Sequence, residues 1–192
     1  MKNKATFYKN LSIVIVVALM GVLLIASYFI PIMKRSELYR RDGVNQNYSC
    51  RDVVVAMNAT KQEDLSTSSI QEAFSCISEH EGKAGQLIRV VGVLGMINAM
   101  IGAAILICAV ATVFLKYNIL RIAALAFAIA ALAVSIAMIV MLCSYLGIVT
   151  ESTHPYAFYY SISAASFVML GASLFSGAGS WFLGFFDKEE TK

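Results

Sequence analysis

Four stretches of this chain contain no Asp, Glu, Lys, Arg or His: Leu11–Met33, Val90–Leu115, Ile122–Val149 and Ala157–Phe186. A helix rises about 1.5 Å per residue, so about 20 residues cross the hydrocarbon core of a bilayer. Each stretch is long enough, and the last three can tilt or project beyond the lipid. The charges are confined to what lies between. That segregation, with 59% hydrophobic residues and a mean hydropathy of +0.73, marks a polytopic membrane protein. The first stretch follows Lys2, Lys4 and Lys9, as a signal peptide would. It exceeds the usual apolar core of about 7–15 residues and no A-x-A site follows, so it is read as a span.

The short hydrophilic pieces set the orientation. The N-terminus (residues 1–10), the turn 116–121 with Lys116 and Arg121, and the tail 187–192 with Lys188 and Lys192 are basic. The linker 150–156 carries neither Lys nor Arg. The positive-inside rule places both termini and the 116–121 turn in the cytoplasm, with 34–89 and 150–156 outside. Lys34, Arg35, Arg40 and Arg41 argue mildly the other way. Two Asn-x-Ser/Thr triplets, at Asn47 and Asn58, favour the outside, because acceptor asparagines are used on the lumenal face. The plasma membrane is the expected location.

Cys50 and Cys76 share this outer segment. In an oxidising compartment they can pair in one way, and closing the intervening loop would stabilise it by about 3 kcal/mol in the chain-entropy model. The alternative is two free thiols. Cys108 and Cys143, inside helices, read as small packing residues. The β-branched run Val53-Val54-Val55 predicts a strand. Ser66–His80 predicts an amphipathic helix, with Ser66, Thr67 or Ser68 as cap and Ile70, Phe74 and Ile77 on one face.

Lipid supplies no hydrophobic drive for helix association, so small residues must admit close approach. Gly92, Gly95, Ala99 and Gly102 fall nearly on one face of the second span, and Ala172, Ser176 and Ser180 recur every fourth residue in the fourth. Asn98 is the strongly polar side chain deep in the second span, read as an interhelical hydrogen-bond partner. Arg89 is expected to anchor the outer end of that span, by reaching the headgroups or by pairing with an acid of the outer segment. Tyr156, Phe158, Tyr159 and Tyr160 form an outer aromatic belt, and Trp181, Phe185 and Phe186 an inner one.

Reactive constellations are missing. The two histidines, His80 and His154, lie between spans, so no axial haem ligand is available within a span. There is no C-x-x-C pair, no metal-ligand spacing and no glycine-rich phosphate loop. No span holds the ionisable group that a proton-coupled carrier needs. A net charge of +3 comes with no basic stripe or nucleic-acid motif. The chain is therefore expected to be no enzyme, to take no cofactor, metal, small-molecule substrate or nucleic acid, and to work by contact with lipids and other membrane proteins.

The plan resembles the claudin superfamily, which includes claudins, peripheral myelin proteins and the related channel and receptor regulatory subunits. The likeness rests on four spans with both ends inside, a long first and very short second outer loop, Cys50 and Cys76 in the first, Arg89 opening the second span, and "HPYAFYYSISAASFVMLGA" (His154–Ala172) opening the fourth. The family's W…GLW-x-x-C motif is absent. The resemblance implies a left-handed four-helix transmembrane bundle, all-α in its spans, bearing a small disulfide-linked extracellular domain of short strands plus a helix. It implies adhesion or membrane organisation at cell junctions; an accessory subunit of a channel, receptor or larger complex is the alternative. A small transporter or lipid-handling protein, with a polar cavity lined by Asn98, Ser135 and Ser144, is a third reading.

Overall fold

The first apolar helix does not use the whole stretch that the sequence offers it. In the computed structural model, which describes residues 2–35, 47–59, 66–78, 82–115, 118–152 and 160–188, helix α1 runs Lys2–Ser27 and strand β1 follows at Pro31–Arg35. The reason is Pro31. It cannot donate a helical hydrogen bond and it disfavours helical geometry in the residue before it. The expected span over 11–33 therefore ends early, and Pro31, Ile32 and Met33 enter a sheet instead.

The remaining elements are strand β2 (Tyr48–Ser49), helix α2 (Cys50–Met57), helix α3 (Ser68–Ser78), helix α4 (Lys83–Leu115), helix α5 (Asn118–Ser152), strand β3 (Tyr160–Ile162) and helix α6 (Ala164–Lys188). Among the described residues three helices are long and apolar enough to cross a membrane: Lys83–Leu115, Ile119–Ile148 and Ala164–Phe182. Leu11–Ser27 is a shorter apolar helix. The chain is thus mostly helical and built for a bilayer.

Helix α4 begins seven residues before its apolar run because Ala84, Gln86, Leu87 and Arg89 are good helix formers. Helix α5 takes in residues 118–121 of the expected turn and 150–152 of the expected loop. Helix α6 starts at Ala164, later than expected, because residues 160–162 pair as a strand and buried Ser163 caps the helix, its Oγ accepting from Ala165 N at 3.4 Å.

Backbone contacts divide the chain into two compact units. One holds Met1–Ala26, Asn98–Val134 and Val168–Lys192. Here helices meet through glycine. A Cβ added to Gly21 would lie 2.8 Å from the Gly102 carbonyl oxygen, and one on Gly102 would lie 2.7 Å from Leu24 Cβ. A Cβ on Gly179 would lie 2.7 Å from Val17 Cγ2. So α1 presses against α4 at one point and α6 at another with no room for a methyl group.

The other unit holds Ser27–Ile97 and Ser135–Phe167. Its sheet has the order β2-β1-β3, with β1 central and antiparallel to both neighbours. Met33 pairs with Tyr48 on one side and Ile162 on the other. Ser163 N donates to the Ile32 carbonyl at 2.9 Å, extending the join. Ile32, Met33 and Tyr48 are fully buried. Three chain segments far apart in sequence are thereby tied together.

Candidate contact segment and its anchorage

Helix α2 stands where the sequence predicts a strand. Valine's preference for strands is weak and context-dependent, and a stronger local signal overrides it. Ser49-Cys50-Arg51-Asp52 is a capping box. Ser49 Oγ accepts from Asp52 N at 3.2 Å, and Asp52 Oδ2 accepts from Ser49 N at 2.9 Å and from Ser49 Oγ at 2.9 Å. Two otherwise orphaned donors are satisfied reciprocally, which starts the helix. The S-x-x-D pattern was legible in the sequence. At the far end Asn58 Nδ2 donates to the Val54 carbonyl at 3.0 Å.

The buried face of α2 is Cys50, Val53 and Ala56, and it meets the glycines of α4. A Cβ on Gly95 would collide with Cys50 Sγ and lie 2.6 Å from its Cβ. A Cβ on Gly92 would lie 2.6 Å from Val53 Cγ1 and 3.0 Å from Val53 Cβ. The two glycines form a notch one turn long that receives two side chains. Arg51 N also donates to the Tyr28 carbonyl at 3.2 Å, tying α2 to the turn after α1. Helix α3 packs on α2 and β2. It starts as the sequence predicts, with the Thr67 carbonyl accepting from Gln71 N at 3.0 Å and with Ile70, Ala73 and Ile77 buried.

Cys50 departs from expectation. It is a free thiol, fully buried, with Sγ facing the Val91 carbonyl at 3.9 Å, so the bridge to Cys76 is not formed here. Cys76 falls within α3, but its side chain lies outside the described residues. The Cys50 side chain is used to fill the Gly95 notch. Burial, reinforced by the Asp52 charge, pushes its pKa up to about 12 from 9.0, so it stays a neutral thiol at physiological pH.

The two sequons differ. Asn47 is half-buried, and its triplet continues through fully buried Tyr48 to Ser49, whose hydroxyl is committed to the capping box. Asn58 is exposed. Arg89 is exposed beside a cleft of about 240 Å³ lined by Ile77, Gly85 and Gln86 together with Arg89 itself.

Among the other residues singled out from sequence, Gly102, Gly92 and Gly95 are all points of close contact, while Ala99 is half-buried. Ala172 and Ser176 are buried in α6, and neither Ser176 Oγ nor Ser180 Oγ has a hydrogen-bond partner. Asn98 is fully buried and engaged, although its Oδ1 accepts no hydrogen bond. Trp181 is exposed. Tyr156 and Tyr159 lie outside the described residues. Ser144 is exposed and donates to the Val140 carbonyl at 2.9 Å, which removes it from any buried polar cavity. Gly171 and Gly179 stand beside Ala172, Ser176 and Ser180 in the small-residue pattern of the fourth span, and of the two only Gly179 is a point of close contact. Sequence reasoning missed Gly21 and the packing role of Val53. An isolated glycine such as Gly21 signals close approach only once its partner is known.

The residues thus define an integral membrane protein whose connecting segment folds onto its own helices through a capped helix, a glycine notch and a three-stranded sheet. No family model, curated protein or solved structure matches the chain.

Proposed function

We propose that the chain is a non-enzymatic, claudin-like protein that crosses the membrane four times as a left-handed bundle, with both termini in the cytoplasm and residues 34–89 outside the plasma membrane. It acts through protein contacts of that outer segment and of its helix faces, in adhesion or membrane organisation. The observation that carries this reading is the anchorage of α2. A connecting segment that served only as a spacer would need neither a capping box nor a notch fitted to Cys50 and Val53. Holding a surface rigid reduces the ordering cost of binding, and that is what a docking element gains from such anchorage. Glycosylation belongs to the same reading, at Asn58 in preference to Asn47.

The test is purification in mild detergent after crosslinking in cells. Self-association, or contact between facing membranes abolished by charge reversal at exposed Arg51 of α2, supports the proposal. A single stoichiometric channel or receptor partner would transfer the reading to an accessory subunit. Loss of contact on altering helix faces alone, with α2 changes silent, would overturn the role given to the outer segment.

A further inference from the structure

The depth at which α2 sits can be read from α4, because the two touch at known positions and a helix advances about 1.5 Å per residue. From Lys83 to Arg89 the exposed side chains of α4 are Lys83, Gln86 and Arg89. Val90 is exposed next. From Met96 onward the exposed positions are large and apolar: Met96, Ile97, Met100, Ile107, Val110, Val113, Phe114 and Leu115. Met96–Leu115 spans about 30 Å, one hydrocarbon thickness. Helix α5 shows the same change. Its exposed large apolar residues run from Ile119 to Val140, about 33 Å, and among the side chains described beyond it the exposed ones are Cys143, Ser144 and Gly147.

The notch that receives α2 is Gly92–Gly95, within about 6 Å of Met96 along the axis. The headgroup layer on each side of a bilayer is about 5–7 Å deep. Helix α2 leaves Val55 and Met57 exposed, at 38% and 37%, and Val54 half-exposed, with Arg51 as the exposed charge. The exposed side of this helix is thus mostly apolar, and the α4 residues it packs on lie beside the start of the long apolar run.

We propose that α2 is an interfacial helix, seated in the headgroup layer with Val55 and Met57 against phospholipid, and that α4 before Val90 and α5 after Val140 stand in water. The proposal rests on the chain's being an integral membrane protein, and it holds whichever face of the membrane α2 occupies. It also gives the exposed native Cys143 a defined place, just outside the hydrocarbon.

Two measurements test it. In the unaltered chain, a membrane-impermeant maleimide is applied to intact and to permeabilised cells, and the labelled cysteine is identified by peptide mass. Labelling of Cys143 in intact cells supports the boundary and the outward orientation. Labelling only after permeabilisation supports the boundary and overturns the orientation. Protection in both, relieved by denaturation, overturns the boundary. Second, V55W is placed in a W181F background in phosphatidylcholine vesicles whose acyl chains are brominated near the carbonyl end. Its emission is expected to fall about two-fold, while that of Q86W in the same background is unchanged. Emission of V55W that ignores the brominated lipid overturns the lipid contact, and equal quenching of Q86W overturns the boundary.

Discussion

Two stretches of α4 use glycine differently. Toward its N-terminus, Gly92 and Gly95 receive the side chains of Val53 and Cys50. Ten residues beyond Gly92, Gly102 faces Gly21, and a Cβ there would lie 2.7 Å from Leu24 Cβ and 2.9 Å from the Gly21 carbonyl oxygen. The first is a socket for two side chains of a short helix. The second is a meeting of two long helix backbones that cannot give way locally. Where water is near, burying Val53 adds a hydrophobic gain to the fit. Deeper in lipid, close packing must supply the association unaided.

This contrast can be broken by five single changes and one paired one. The largest effect is expected from Gly102→Leu, which forces α1 from α4 where a bare Cβ would already lie 2.7 Å from Leu24 Cβ. A loss of about 3 kcal/mol or more, with aggregation in detergent, should be seen by thermal unfolding. Unchanged stability would show that the glycine contact is dispensable. Gly95→Ala should lose about 1–3 kcal/mol, with faster hydrogen exchange confined to α2. Adding Cys50→Ala should recover part of it, and strict additivity of the two changes would refute the socket.

Ser49→Ala removes one half of the capping box and should destabilise by about 1 kcal/mol, loosening the first turn of α2 while α4 amides keep their protection. Smallest are Gly147→Ala and Gly171→Ala. Among the described residues, a Cβ added at either would meet nothing within 4 Å beyond its own stretch of helix backbone, so each should be neutral or stabilise its helix by up to about 1 kcal/mol. Marked destabilisation there would mean that the distinction between notch glycines and open glycines is wrong.

How far the fold could be read in advance varied with the kind of signal. The long apolar runs of α4, α5 and α6 were plain, because length and hydropathy accumulate over many residues. The helix over Ser68–Ser78 was legible from its cap and its apolar face. The end of α1 was missed because hydropathy weighs Pro31 as one weakly polar residue, whereas its ring acts on backbone geometry. Residues 160–162 were read as helix because their strand partner, β1, is more than 120 residues away in the chain. The run Val53–Val55 was misread because side-chain propensity was weighed above the capping box that precedes it.

The apolar runs alone determined that this chain would enter a membrane, since backbone groups in lipid must be satisfied within a helix or a closed barrel and the runs lack the alternation of barrel strands. Small residues alone showed that helices would approach closely. Which partner fills each gap was decided by tertiary structure: Val53 and Cys50 against Gly92 and Gly95, Gly21 against Gly102, Val17 against Gly179. A glycine records only that space is needed, and the atoms that take the space come from elsewhere in the chain.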